Sequence, residues 1–242
     1  MSKIAIMQPT FNPWLGYFDL INSVDKFIFL DTVQLNQQSW QTRNKIKVNN
    51  KEYLISIPIV KSTSKFDLLI KDTKINETFN FAKKKLLKTI YQEYKKSEYF
   101  EKNISFIEEL INFNTNSLCD YNINIIEKIC NKLGIKTELI KASSLESIDE
   151  KKSNLVLTLC KNINAQEYYS PFNAKEYLDK DLILFKQNSI KVIYQNYKHP
   201  VYKQVGNEFI SYIGIFDLIL NHGFKESLEI IQSGRNYENS KF

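Results

Sequence analysis

The segment Gln8-Pro9-Thr10-Phe11-Asn12-Pro13-Trp14-Leu15-Gly16-Tyr17 is the stretch of this sequence best suited to chemistry. It joins an apolar run to an amphipathic one, the end of a strand to the start of a helix. Such a junction presents backbone N–H groups at the positive end of a helix, where phosphate or carboxylate binds. Gln8 and Asn12 add side-chain hydrogen bonds. Pro9 ends the strand, Pro13 suits the first turn of the helix, and Gly16 lets a ligand or a second backbone approach closely. The plainer alternative is a tight βα connection plugged by the aromatic rings of Trp14 and Tyr17.

Two further clusters offer chemistry. Between Asp31 and Lys47, Asp31 is a candidate general base or a holder of a sugar hydroxyl. Trp40 offers a flat face to a base or sugar ring, and Arg43, Lys45 and Lys47 offer charge to a diphosphate. Arg43 stands out because the chain has a single other arginine, Arg235, in a polar tail at 234–242 expected to carry no fixed structure. The third cluster is Tyr168, Tyr169, Ser170, Pro171, Lys175, Tyr202, Gln204 and Asp217, read as pocket walls and sugar-orienting hydroxyls, or as a loop packed on the core. His222, between Asn221 and Gly223 at a helix end, is a candidate base, though capping or packing is the commoner role there. His199, before Pro200, lies in a loop from which it could reach a substrate. No Ser-His-Asp, Cys-His-Asp or metal-ligand spacing is legible.

The elements that must position these residues follow from hydropathy. Lys3–Met7 reads as a strand buried on both faces. Leu15, Phe18, Ile21 and Val24 recur at three-residue steps and predict a helix over 14–24, and 26–30 predicts a second buried strand. This is a βαβ unit, and ligands of such sheets bind beyond the carboxyl ends of the strands. Further strands are expected at 53–59, 66–70, 137–142 and 191–195, the first two in one sheet. Helices are expected at 77–95, 98–115, 117–133 (closed by Gly134), 152–160, 215–222 (closed by Gly223) and 225–233. Residues 182–187 read as a helix or an edge segment. The expected fold class is α/β, a parallel-sheet, Rossmann-like core. It forms a single domain over 1–242 with an inserted helical subdomain at about 77–133.

Composition narrows the function. The 242 residues are 43% hydrophobic and 13% aromatic, enough for a packed core. No run approaches a membrane span, and the start lacks the shape of a signal peptide, so a cytoplasmic location is expected. Three cysteines without CxxC spacing read as buried thiols. The net charge of +6 is carried mostly by dispersed lysines, which suits small anions better than nucleic acid, and nucleic acid is not expected as a partner.

The first segment resembles the N-terminal motif of the nucleotidylyltransferase superfamily, in which an H-x-G-H motif opens a helix that binds nucleotide phosphates. Trp14-Leu15-Gly16-Tyr17 stands in that place without either histidine, so histidine-promoted transfer is not implied; Arg43-Asn44-Lys45 could serve the phosphates instead. A fuller resemblance is to the WbqC-like family, associated with bacterial surface polysaccharides. It is carried by Ile6-Met7-Gln8-Pro9, Pro13-Trp14-Leu15-Gly16-Tyr17-Phe18, Val24-Asp25-Lys26-Phe27 and Asp31-Thr32-Val33-Gln34. Trp40, Arg43-Asn44-Lys45-Ile46-Lys47, Ile57-Pro58-Ile59, Tyr177-Leu178, Tyr202-Lys203-Gln204 and residues 215–223 extend it. The resemblance implies work on nucleotide-linked amino sugars (dTDP- or UDP-linked) of O-antigen or capsule. The leading expectation is transfer of an acyl or aminoacyl group to the sugar amine, with ATP required if the donor is a free amino acid. Nucleotidyl transfer to a sugar phosphate and non-catalytic binding of a nucleotide sugar are the alternatives. A second copy of the chain, in a homodimer, is a further candidate partner.

Overall fold

The computed structural model describes residues 2–36, 38–60, 68–146 and 150–240. Its main sheet is built around β1 (Lys3–Met7), whose central Ile-Ala-Ile is buried because both faces are covered. β2 (Lys26–Phe29) pairs in parallel on one side of β1, from Ile4 beside Lys26 to Met7 beside Phe29. β6 (Glu167–Pro171) pairs in parallel on the other, with Ile4 beside Tyr168. β5 (Glu138–Lys141) extends the sheet past β2. β7 (Lys191–Gln195) and then the antiparallel β8 (Tyr237–Asn239) extend it past β6. The order β5-β2-β1-β6-β7-β8 means that the chain winds outward from β1 and then returns to its other side. This is a Rossmann-like α/β fold, as expected, and its topological switch point lies between β1 and β6.

The alternation of β1 sorts the helices into two layers. Ala5 faces an apolar cluster built with α1 (Leu15–Asn22), α2 (Phe79–Tyr94), α3 (Phe100–Ile111), α4 (Leu118–Leu133) and α8 (Ile215–Ser233). Ile4 and Ile6 face a second cluster with α5 (Lys152–Asn162), α6 (Lys175–Leu178) and α7 (Leu182–Gln187). α4 starts at Ser117, whose side chain accepts from Asp120 N, and stops at Gly134 in the left-handed conformation, as its sequence predicts. Among the described residues no helix is long and apolar enough to cross a membrane.

Several expectations are corrected. The polar stretch after Trp40 is not all loop: β3 (Arg43–Val48) and β4 (Lys51–Ser56) form an antiparallel hairpin outside the main sheet. Its turn is Asn49-Asn50, with φ of 49° and 59°, the left-handed pair that a two-residue hairpin turn requires. The strand expected at 66–70 is not seen where it can be judged; residues 66 and 67 lie outside the described part, and Leu69 forms an isolated bridge to Gln34. Tyr168 to Pro171, read as a loop, are strand β6. The tail is anchored, because β8 pairs with β7 and Arg235 binds the buried Asp19. The stop expected at Gly223 is borne out: α8 is broken there, at φ 67° and ψ −179°, into two helical halves.

Candidate functional site

A cleft of about 520 Å³ opens beyond the carboxyl ends of β1, β6 and β7, where Met7, Pro171 and Gln195 line it. It therefore lies at the switch point of the sheet, the edge at which such folds bind ligands. Trp14, Trp40, Phe172, Tyr197 and Tyr212 supply aromatic walls. Asn44, Asn173, Gln195 and Asn196 supply amides, and Lys45 the charge. Lys45 is paired with Glu52 at 2.6 Å and lies 5.9 Å from the centre of the Trp40 ring.

Residues 8–17 border this cleft, but their polar groups are mostly used to hold one another. Gln8 Oε1 accepts from Gln41 Nε2 at 2.7 Å, and its backbone oxygen accepts from the Tyr17 hydroxyl at 3.0 Å. Burial pushes the Tyr17 phenol well above its ordinary pKa, so it stays a donor. Pro9 O accepts from Asn122 Nδ2, which reaches out of α4. Asn12, wholly buried at φ 43°, accepts from Phe216 N with its side chain and from Asn44 Nδ2 with its backbone oxygen. Asn12 thus fastens the loop to the start of α8. Trp14 folds back over Gly16, where an added Cβ would lie 2.2 Å from the ring, and Trp14 contacts Tyr197 and Tyr212. Only glycine leaves room for that wall.

Of the residues expected at the site, Trp14, Tyr17, Trp40, Asn44, Lys45 and Pro171 line the cleft, with Gln8, Pro9, Asn12 and Gly16 directly behind them. The others are elsewhere. Asp31 is buried, its oxygens accepting from Ser143 N at 2.9 Å and from the Ser143 hydroxyl at 2.5 Å. Gln34 is exposed in its bridge to Leu69. Arg43 reaches Gln38 Oε1 at 3.4 Å, and its Nε is buried without a partner among the described residues. Tyr169 packs on Tyr237, and Ser170 is buried with its hydroxyl on Pro171 O. Lys175 lies over Phe172 and Tyr194.

Tyr202, Gln204 and His222 gather around Asp217 and the loop before α8. Tyr202 donates to Asp217 Oδ2 at 2.9 Å, and the Gln204 amide makes two hydrogen bonds, to Ile210 O and from Ile210 N. The ring nitrogens of His222 face Lys203 O and Glu226 Oε1, each at 2.9 Å. Burial raises the Asp217 carboxyl to about 6, against the pull of the Tyr202 and Tyr94 hydroxyls and the Lys47 ammonium. His199 backs the aromatic wall, stacked on Trp14, and burial lowers its pKa. The cysteines are buried, and burial and the nearby Asp31 push the Cys119 thiol up to about 12.

Sequence reasoning missed Gln195, Asn196, Tyr197, Phe172, Asn173, Tyr212 and the supporting Asp19. The first five had a legible signal, since they end or follow β7 and β6 on the ligand-binding edge. Tyr212 and Asp19 carried none.

The WbqC-like protein family matches residues 8–229, which includes every cleft-lining residue named above except Met7. The chain belongs to the WbqC-like protein family. This WbqC-like chain is also similar to the uncharacterized protein Rv1507c of Mycobacterium tuberculosis, at 32% identity over 225 residues, covering 92% of this chain and 95% of that one. No solved structure matches it. The more distant likeness to nucleotidylyltransferases gains no support from these comparisons.

Proposed function

We propose that this WbqC-like protein binds a nucleotide-linked amino sugar in the cleft and transfers an acyl or aminoacyl group to the sugar amine. The observation that carries the reading is the cleft's make-up: aromatic faces and side-chain amides at the switch point of a Rossmann-like sheet. Aromatic faces suit a base and a sugar ring, amides suit hydroxyls, and Lys45 suits a phosphate. In the step itself the amine nitrogen attacks the acyl carbon and forms an amide. The donor's leaving group departs, and the amine proton is lost with it or to water. With a free amino acid as donor, ATP activates the carboxylate. The reading implies a cytoplasmic enzyme that modifies precursors of O-antigen or capsule.

One observation favours a second reading, non-catalytic binding of a nucleotide sugar. Among the described residues, the cleft lining includes no carboxylate, imidazole or thiol to act as base or nucleophile. One assay separates the two. The protein is titrated calorimetrically with UDP- and dTDP-linked amino sugars, then incubated with each plus ATP, amino acids and acyl thioesters. A mass gain of one acyl or aminoacyl unit on the nucleotide sugar supports transfer. Binding without any mass gain supports the second reading, and no binding of any nucleotide sugar sinks both.

A further inference from the structure

Gln195 ends β7, is 5% exposed and lines the cleft. Its Nε2 donates to Gly16 O at 2.8 Å and to Asp19 Oδ2 at 3.0 Å. A primary amide has two such hydrogens, so both are committed to the protein. Its orientation is also forced. Turned over, Oε1 would meet a carbonyl oxygen and a carboxylate, acceptor against acceptor. Asp19 is the acceptor on its other contacts too, taking hydrogen bonds from Arg235 Nε at 2.8 Å and the Tyr237 hydroxyl at 3.0 Å. The guanidinium has no acceptor to offer, so towards Arg235 the Asp19 carboxylate can only accept. Arg235 and Tyr237 therefore fix Asp19, and Asp19 fixes Gln195. What Gln195 has left for the cleft is Oε1.

Asn44, which also lines the cleft, repeats the arrangement. Its Nδ2 donates to Phe11 O at 2.9 Å and Asn12 O at 2.8 Å, so its Oδ1, which accepts from Lys45 N at 2.8 Å, is also held as an acceptor. Amide oxygens and aromatic faces suit an N–H-bearing group such as a sugar amine.

We propose that Gln195 is a specificity-determining residue whose Oε1 accepts a hydrogen bond from the amino group of the bound sugar, with Asp19 and Arg235 as positioning residues behind it. This rests on the reading of the cleft as a nucleotide-amino-sugar site and names the atom that selects the amine. A ligand carrying the N–H donor satisfies a fixed buried acceptor, and a ligand lacking it leaves that acceptor dry and unpaired.

The test uses the full chain and two probes, UDP-glucosamine and its 2-deoxy counterpart without the amino group, with affinities measured by calorimetry. The wild-type protein is expected to prefer the amine-bearing probe by about tenfold. Gln195→Met, similar in length but without the oxygen, is expected to bring the two affinities within about twofold of each other. Arg235→Gln leaves Gln195 in place and loosens its support; it is expected to reduce the preference, with Arg235→Lys restoring part of it. The ratio of affinities is the readout, since a general loss of structure weakens both probes alike. If Gln195→Met does not fold, the two Arg235 variants decide the matter. Equal affinities in the wild type, or an unchanged ratio in the variants, overturn the Gln195 assignment and leave the nucleotide-sugar reading standing. Binding of neither probe to the wild-type protein overturns both.

Discussion

Replacing Arg235 by alanine tests whether the segment after α8 is held by charge. Asp19 would remain wholly buried with two neutral donors, the Tyr237 hydroxyl and Gln195 Nε2, each at 3.0 Å, and would lose the guanidinium at 2.8 Å. Stripping one partner from a fully buried ion pair costs about 3–5 kcal/mol. The Arg235 side chain is 36% exposed, so water already screens part of the attraction, and about 2 kcal/mol is the reasoned figure. For a chain of this size that lowers the melting temperature by about 4–8 °C. Thermal melts followed by circular dichroism at pH 7.5 measure it. Arg43→Ala is the internal control, because among the described residues its side chain makes one hydrogen bond, to an exposed glutamine at 3.4 Å, and it is expected to cost under about 0.5 kcal/mol. Adding Asp19→Asn to Arg235→Ala removes the stranded charge and is expected to recover part of the loss. A drop for Arg235→Ala no larger than the control's would refute the argument.

Three other outcomes are expected. The Asp217 carboxyl titrates near 6 when folded, against an ordinary 3.8, so the folded state holds the proton more tightly. Stability from this group is then lost as pH rises from about 4 to about 6, and Asp217→Asn should gain on the wild type at pH 7.5 relative to pH 4.5 in urea titrations; an identical difference at both pH values contradicts the assignment. Gly16→Ala puts a methyl 2.2 Å from the Trp14 ring, which is a movable side chain. Stability should change by under about 1 kcal/mol, while tryptophan fluorescence shifts and nucleotide-sugar affinity falls several-fold; unchanged affinity would detach Trp14 from the site. Lys45→Met should weaken nucleotide-sugar binding and Arg43→Ala should leave it within about twofold, since Lys45 alone of the two lines the cleft; the reverse order would return the phosphate to Arg43.

The first βαβ unit was legible because its signals are local. The apolar run 3–7, the three-residue steps of Leu15, Phe18 and Ile21 and the run 26–29 each specify their own element, and together they place a ligand beyond Met7. The β3–β4 hairpin was obscured because Arg43, Lys45 and Lys47 read as ligand-binding charge. Their alternation with Ile46 and Val48, and the turn-forming Asn49-Asn50, carried the structural signal instead. Asp31 and His222 looked chemical as isolated residue types, yet their partners, Ser143 and Lys203, can be named only once the chain is folded. The contacts that join the two ends of the chain at the cleft were the least legible part. Gln195 meets Gly16 across 179 residues of sequence, and no local pattern encodes that contact.

The same long separation has a consequence for the order in which the molecule is made. Asp19 emerges from the ribosome 216 residues ahead of Arg235, and β8 pairs with β7 later still. A nascent chain can form β1, α1 and β2 early, yet it carries the Asp19 carboxylate without its counter-ion until Arg235 has been added. During that interval the amide of Gln195 has no fixed carboxylate to turn against. The orientation of the Gln195 amide is therefore fixed only once Arg235 and Tyr237 have reached Asp19.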